Sequence, residues 1–103
     1  MRFLVKVTIP VETGNAVIKS GKLAKTIESA LAELKPEAAY FTAENGHRTA
    51  FLFLDIKDPS QIPAVAEPFF LAFNARVEFH PAMTAQDLMK AGPSMEQAIK
   101  KYG

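Results

Sequence analysis

The sequence predicts a single α+β domain built on a four-stranded antiparallel sheet. Three observations support this class. Four segments have the alternating or doubly apolar pattern of strands. Amphipathic helical segments separate the first strand from the second and the third strand from the fourth. The chain of 103 residues is long enough for one hydrophobic core but not for two separate ones.

A strand and a helix come first in the chain. Residues 3–9 alternate between apolar and mixed positions, which is the period of a strand with one fully apolar face. Apolar residues then recur at helical spacing over residues 13–34, which predicts an amphipathic helix. Gly14 and Gly21 weaken its first half by about 1 kcal/mol each relative to alanine. This half is therefore either helix or a short turn before a firmer helix from Lys22.

A β-hairpin follows the helix. Residues 38–43 and 49–56 are both β-prone, and Asn45-Gly46 between them tolerates the positive φ angles of a type I′ turn. The second arm is apolar on both faces over residues 50–54, as expected of a strand that is covered on each side. Some element must therefore cover its second face.

The rest of the chain predicts a helix, a fourth strand and two C-terminal helices. Residues 58–60 resemble a helix start, and two internal prolines limit this helix to about two turns. Residues 74–79 alternate as a strand that Pro81 stops. Residues 84–87 are close to a capping box that opens a further helix. A last helix begins at Pro93 and runs to the C terminus.

The order strand, helix, strand, strand, helix, strand is the split βαβ arrangement of ferredoxin-like folds. In these folds both helices pack on one face of the sheet and the other face stays open. Because the hairpin's second arm is apolar on both faces, and the C-terminal helices are too short to cover a sheet, we expect a homodimer through the sheet face. A monomer whose tail folds across the sheet is the alternative.

Composition and charge exclude several classes of function. Twelve Lys and Arg against eleven Asp and Glu give a net charge of +1 without blocks of like charge, so there is no electrostatic case for binding nucleic acid or an anionic membrane. The absence of cysteine excludes disulfides and thiolate chemistry. No apolar run is long enough to span a bilayer, and the first ten residues lack the features of a signal peptide. We therefore expect a soluble, cytoplasmic protein.

Two segments carry a more particular resemblance. The chain opens with Met-Arg-Phe-Leu-Val-Lys-Val (residues 1–7), and residues 67–73 read Glu-Pro-Phe-Phe-Leu-Ala-Phe before a strand that ends in Phe79-His80-Pro81. With the element order of nearly the whole chain, they resemble the dimeric α+β barrel superfamily. This group includes muconolactone isomerase-like proteins, antibiotic-biosynthesis-type monooxygenases and many small bacterial proteins without an assigned reaction, among which we expect this chain to fall. The resemblance implies a ligand cavity between sheet and helices, and chemistry without metal or organic cofactor.

His80 is the strongest candidate for acid–base work. It follows the apolar run of a strand, shares a face with Glu78 and titrates near neutrality when unperturbed. A histidine before a proline is nevertheless more often a structural or interface residue. Tyr40 could orient a ligand through its hydroxyl, although an ordinary half-buried strand position is the commoner role. His47 lies beside the turn, where we expect it at the surface.

Charged and aromatic side chains supply candidate ligand contacts. Lys6, Arg76 and Glu78 lie on strands predicted to be neighbours, where they could hold an anionic group such as a carboxylate or fix the register of the dimer. The phenylalanines of residues 69–73 could line an apolar pocket beneath the short, proline-bracketed helix, although such residues are more often core. These three aromatic candidates are Phe69, Phe70 and Phe73.

Metal and nucleotide sites are not expected. The two histidines are far apart, cysteine is absent and no helix carries a His-Glu-x-x-His spacing. The five glycines are scattered instead of clustered after a strand. The sequence therefore implies no cofactor.

The leading functional hypothesis is a homodimer that binds a small hydrophobic or aromatic metabolite. One alternative is a cofactor-free isomerase or monooxygenase with His80 as base and Tyr40 as orienting donor. The other is a non-catalytic interaction or sensor module. The fold by itself cannot decide among them.

Overall fold

Four strands form one antiparallel sheet in the order β2-β3-β1-β4. The computed structural model describes residues 1–103. The strands are β1 (Arg2–Ile9), β2 (Ala38–Glu44), β3 (His47–Asp55) and β4 (Arg76–Pro81). This confirms the predicted α+β class and the four-stranded antiparallel sheet, and it is compatible with a ferredoxin-like arrangement.

Five α-helices accompany the sheet. They are α1 (Val11–Lys19), α2 (Leu23–Leu34), α3 (Ile62–Phe73), α4 (Ala85–Lys90) and α5 (Gly92–Tyr102), and a 3₁₀ turn (Pro59–Gln61) leads into α3. None of these helices combines the length and the apolar character needed to cross a membrane.

The hairpin forms as predicted. Asn45 and Gly46 both have positive φ angles, +53° and +77°, which a type I′ turn requires of its two central residues. The strands on either side are β2 and β3, which pair antiparallel from Ala38 opposite Phe53 to Glu44 opposite His47.

The first predicted helix is two helices in the structure. The break falls at residues 20–22, where Gly21 adopts a φ of +76°, a conformation that glycine reaches without steric cost. Helix α2 begins at Leu23. The first half of the predicted helix, which the two glycines were expected to weaken, is therefore still helical but forms the separate helix α1.

Helix α3 is longer than predicted. It has twelve residues and passes through Pro68, so the expectation of about two turns is wrong. Proline removes one backbone hydrogen bond, to the carbonyl of the residue four positions earlier, which is Ala64. Both residues are exposed, so water can hydrate that carbonyl. Pro63 lies in the first turn, where an N–H would be free in any case.

The hydrophobic core lies between the sheet and α3. Alternate residues of β1 and β3 point toward the helices, and Val65, Phe69 and Phe73 of α3 pack on them. The strand residues of this core are Val5, Val7, Ile9, Ala50, Leu52 and Leu54. Because Phe69 and Phe73 are almost fully buried, α3 is anchored by its packing in spite of its prolines.

The opposite side of the sheet is uncovered, and we call it the open face. By register it carries Leu4 and Lys6 of β1 next to Phe53 and Phe51 of β3. The remaining open-face positions are Arg2, Thr8, Ala38, Tyr40, Thr42, Glu44, His47, Thr49, Asp55, Arg76, Glu78 and His80. Strand β3 is thus apolar on both faces, as predicted, and no helix of the same chain packs on the open side.

Residues 85–102 form an extension that we call the C-terminal arm. The molecule measures 58 × 28 × 20 Å, with a radius of gyration of 17.2 Å, against about 13 Å for a compact chain of this length. At about 1.5 Å per residue the arm is about 27 Å long, close to half of the long axis. No residue of α4 or α5 is buried. The tail therefore does not fold across its own sheet, and the monomeric alternative is wrong in that respect.

The 3₁₀ turn before α3 predicts an acid-sensitive step in stability. Hydrogen bonding with Ser60, through its side chain first and its backbone second, holds the pKa of Asp58 below its usual value. A carboxylate with a lowered folded-state pKa stabilises the fold above the unfolded-state pKa of about 3.9, and this stabilisation is lost as the pH falls through the folded-state value. We expect Asp58→Asn, which keeps a capping side chain, to show a smaller fall in Tm below pH 4 than the parent.

Thermal unfolding followed by circular dichroism from pH 7 to pH 2.5 measures this difference. Glu67→Gln is the control, because Glu67 is an exposed carboxylate of α3 outside the capping box of Asp58 and Gln61. Its acid-induced fall in Tm should equal that of the parent. Parallel curves for Asp58→Asn and the parent would contradict the assignment.

Candidate functional site

The two predicted catalytic residues, Tyr40 and His80, share the open face but lie on its opposite outer strands. Tyr40 is on β2 and His80 is on β4, with β3 and β1 between them. On a flat sheet, three strand spacings of about 4.8 Å separate the two backbones by about 14 Å. Both side chains are exposed. One protomer therefore does not bring the proposed base and the proposed orienting donor together.

The charged candidates are only partly assembled. Lys6 lies opposite Glu78 in the β1–β4 register, with Nζ 3.8 Å from Oε2, and it also forms an ion pair with Glu44. Arg76 lies opposite Thr8 and has no carboxylate within ion-pair distance. Since two carboxylates already neutralise Lys6, an anionic ligand would have to displace one of them.

The ion pair between Lys6 and Glu44 shows that the sheet bends toward the open face at the hairpin end. Glu44 is two strands away from Lys6 and four positions further along the register. On a flat sheet their Cα atoms would be about 17 Å apart, which is more than the two side chains can span. The end of the hairpin must therefore curl over the open face. A polar hollow of about 410 Å³ at this end is lined by Lys6, Glu44, His47 and Arg76 among others.

The three aromatic candidates divide between core and surface. Phe69 and Phe73 fill the space between α3 and the sheet, whereas Phe70 is 39% exposed. An open groove of about 520 Å³ between α2 and α3 touches Phe69 and Phe73 from outside, but only three of its eight lining residues are hydrophobic. The space beneath α3, where the sequence suggested a pocket, is thus occupied by the helix's own side chains.

A different groove has the character of an apolar binding site. It lies between α2 and the β2–β3 hairpin, has a volume of about 540 Å³, and seven of its ten lining residues are hydrophobic; we call it the α2–β2 groove. The hydrophobic lining consists of Ile9, Leu23, Ala24, Ile27, Phe41, Ala43 and Ala50.

The shape of this groove follows from the size of its side chains. Ala24 on α2 and Ala43 on β2 leave space on either side, and Phe41, opposite Ala50 in register, forms one wall. Phe41 faces the helices but is 54% exposed. The sequence did contain a signal, a phenylalanine flanked by small residues on the helix-facing side of an edge strand. Recognising it required knowing that α2 lies across this strand.

Arg48 stands at one end of the α2–β2 groove. Its guanidinium donates to Oδ1 of Asn15 at 3.0 Å and to the carbonyl oxygen of Val11 at 3.4 Å. It packs over Gly14, where a Cβ would lie 2.5 Å from Nη1, so glycine makes room for it. No carboxylate pairs with Arg48. Three of its five N–H donors therefore have no partner in the chain.

Comparison with known proteins adds no assignment. No protein-family model matches this sequence, and no curated protein matches it significantly. Fold and site define the class by themselves. The chain is a small α+β protein with a four-stranded antiparallel sheet, compatible with the ferredoxin-like fold, with an apolar groove on its helix side and an uncovered face on the other.

Proposed function

We propose that this chain is a homodimeric binding protein for a small hydrophobic or aromatic molecule. The α2–β2 groove is the observation that carries the proposal. Ligand sites are concave, mostly apolar and about 300–1,000 Å³ in volume, with a few polar groups that set orientation. A groove of about 540 Å³ with seven hydrophobic residues out of ten meets this description.

Arg48 supports a ligand that carries an acidic group. A guanidinium binds a carboxylate through two parallel hydrogen bonds, and Arg48 has unpaired donors at the end of a mainly apolar groove. A ring or short alkyl chain with one carboxylate would place its apolar part between α2 and β2 and its charge at Arg48. This is the ligand class that the groove suits best.

Dimerisation through the open face is the second part of the proposal. Leu4, Phe51 and Phe53 form an apolar strip in the middle of that face, and a second copy is the simplest cover for it. A two-fold axis parallel to the strands would set β4 of one protomer over β2 of the other. A cytoplasmic location and kinship with the dimeric α+β barrels belong to the same proposal.

The enzymatic alternative depends on this dimer. Tyr40 and His80 lie on opposite outer strands of one protomer. In a dimer with its axis along the strands, Tyr40 would face the His80 strand of the partner. A cofactor-free isomerase or monooxygenase would therefore have a site composed of two chains. The binding function needs no such juxtaposition, and a non-catalytic ligand sensor would use the same groove.

Filling the groove tests the binding function. Ala24→Trp places a large ring in the α2–β2 groove, and we expect the affinity for 1-anilinonaphthalene-8-sulfonate, an aromatic probe with one acidic group, to fall about tenfold or more, which corresponds to about 1.4 kcal/mol. Fluorescence titration measures it. Decanoate should displace the probe from the parent protein.

The matched control is Ala32→Trp, which adds the same ring to an exposed position of α2 outside the groove. Its affinity for the probe should equal that of the parent. Unchanged affinity in Ala24→Trp would mean that the probe binds elsewhere, and the groove would lose its assignment.

A further inference from the structure

The C-terminal arm is helical without a packing partner in its own chain. Helix α4 has six residues and α5 has eleven, and neither contains a buried residue. Isolated helices shorter than about 12–15 residues are marginal in water. Most helical stability in proteins comes from packing an apolar side, so the arm requires a surface that its own protomer does not provide.

The arm has an apolar side of the right kind. Met95, Ile99 and Tyr102 recur at positions i, i+4 and i+7 of α5, and all three are exposed. Leu88 of α4 precedes Met95 by seven residues, about two helical turns, and is exposed as well. A common axis of α4 and α5 places Leu88 in line with the stripe of α5. The charged residues of α5 lie on the other side, among them Lys100.

The open face by itself offers only a small area for a dimer. Four strands at about 4.8 Å, followed over about six residues, give a face of about 19 by 20 Å, or about 400 Å² in projection. Stable interfaces bury about 800 Å² per partner. A dimer through the open face is therefore at the small end of stable interfaces, and the arm, which follows β4 in the chain, is an exposed apolar element that could enlarge it.

The edge of β2 is a surface that requires cover. Its sequence, Ala-Ala-Tyr-Phe-Thr-Ala-Glu, has one charged residue and no proline, and Tyr40 and Phe41 are 64% and 54% exposed. Natural edge strands are usually protected by charges, prolines or a covering element. The other edge, β4, has such protection in Arg76, Glu78 and Pro81.

We propose that the C-terminal arm of each protomer crosses to the second copy and packs its apolar stripe along the β2 edge of that copy, over Tyr40 and Phe41. The arm starts where β4 ends, and β4 lies opposite β2 of the second copy in a dimer whose two-fold axis is parallel to the strands, which is the arrangement on which this proposal rests. Phe41 also lines the α2–β2 groove. The arm of one copy thus completes a wall of the other copy's binding site.

Site-specific crosslinking tests the placement of the arm. Because the chain has no cysteine, single-cysteine variants react at one position only. Chains with Ile99→Cys and with Thr42→Cys, an exposed residue of β2, are mixed, allowed to exchange subunits and treated with a short bis-maleimide. We expect covalent heterodimers. A mixture of Ile99→Cys with Leu71→Cys, on the outer side of α3, should give none.

Two crosslinking results would overturn the proposal. Covalent dimers of Ile99→Cys with itself, without crosslinks to Thr42→Cys, would show that the arms pair with each other. The absence of any crosslink in a sample whose mass is dimeric would show that the arm does not reach the partner.

A mass measurement separates this proposal from the proposed dimer. Ile99→Asp should raise the dimer dissociation constant about tenfold or more and weaken probe binding, whereas Lys100→Asp, on the other side of α5, should change neither. If a charge on the open face dissociates the dimer but Ile99→Asp does not, the dimer stands and the arm proposal fails. If the parent is monomeric at micromolar concentration, both fail.

Discussion

Replacing Phe73 by alanine is expected to lower the free energy of unfolding by about 3–5 kcal/mol, the usual cost of truncating a buried phenylalanine. Phe73 is 1% exposed and is the largest of the fully buried side chains. It lies in the last turn of α3 and packs in the same cluster as the core residues of β1 and β3. Its loss leaves a cavity at the contact between α3 and the sheet. Since small domains have a total stability of about 5–15 kcal/mol, the variant should be close to unfolding.

Urea unfolding of the parent and of Phe73→Ala, followed by circular dichroism, measures this difference in the free energy of unfolding. The comparison requires that both proteins have the same m-value. Phe70→Ala is the matched control, because Phe70 belongs to the same helix but is 39% exposed. We expect it to cost about 1 kcal/mol or less. Equal losses in the two variants would show that α3 does not pack on the sheet through the side that carries Phe73.

A charge in the middle of the open face is expected to abolish the proposed dimer. Phe53→Asp places a carboxylate beside Leu4 and Ala38, where a second copy would remove it from water without a partner. Because the two-fold axis duplicates the substitution, a cost of about 2 kcal/mol per copy raises the dissociation constant about a thousandfold. Sedimentation or light scattering should report a monomer at micromolar concentration.

Leu71→Asp is the matched control for this experiment. It makes the same type of change, from a large apolar residue to a carboxylate, at a position of α3 that is 81% exposed and faces away from the sheet. We expect its mass in solution, and therefore its oligomeric state, to equal that of the parent. A dimer that survives Phe53→Asp and dissociates in Leu71→Asp would place the interface on the helix side of the molecule.

Local rules predicted those parts of the fold whose energetics are local. Asn45-Gly46 predicts the hairpin because a type I′ turn needs two residues that tolerate positive φ, and both adopt it. Thr84 and Asp87 form the capping box that their spacing suggests. The alternation in residues 3–9 correctly identified the face of β1 that is buried. In each case the deciding interactions lie within a few residues.

The same rules failed for α3 because its length depends on packing. Two prolines favour a short helix, but Phe69 and Phe73 bury enough apolar surface to hold twelve residues in helical conformation. Both were also predicted as candidates for a pocket lining; in the structure they belong to the core and touch the groove between α2 and α3 from one side. The pattern of apolar residues could not separate a core position from a pocket position, since both are apolar and face inward.

The candidate binding site shows the same division. The resemblance to the dimeric α+β barrels implied a cavity between sheet and helices, and an apolar groove does lie in that layer. Its location beside α2, its lining by Leu23 and Phe41, and its termination by Arg48 were not predicted. Ala24 and Phe41 are far apart in the chain, and only the way α2 lies across the hairpin makes them two sides of one groove.

The sequence alone predicted an α+β domain, a β-hairpin and a strand, β3, that is apolar on both faces. It also excluded chemistry that depends on cysteine. These properties follow from periodicity, turn residues and composition, each of which is read over a short stretch. The three-dimensional arrangement settled that the tail leaves the open face bare, that Tyr40 and His80 stand on opposite edges, and that the apolar groove lies at α2. Such relations join residues distant in the chain, and the packing of whole elements against one another determines them.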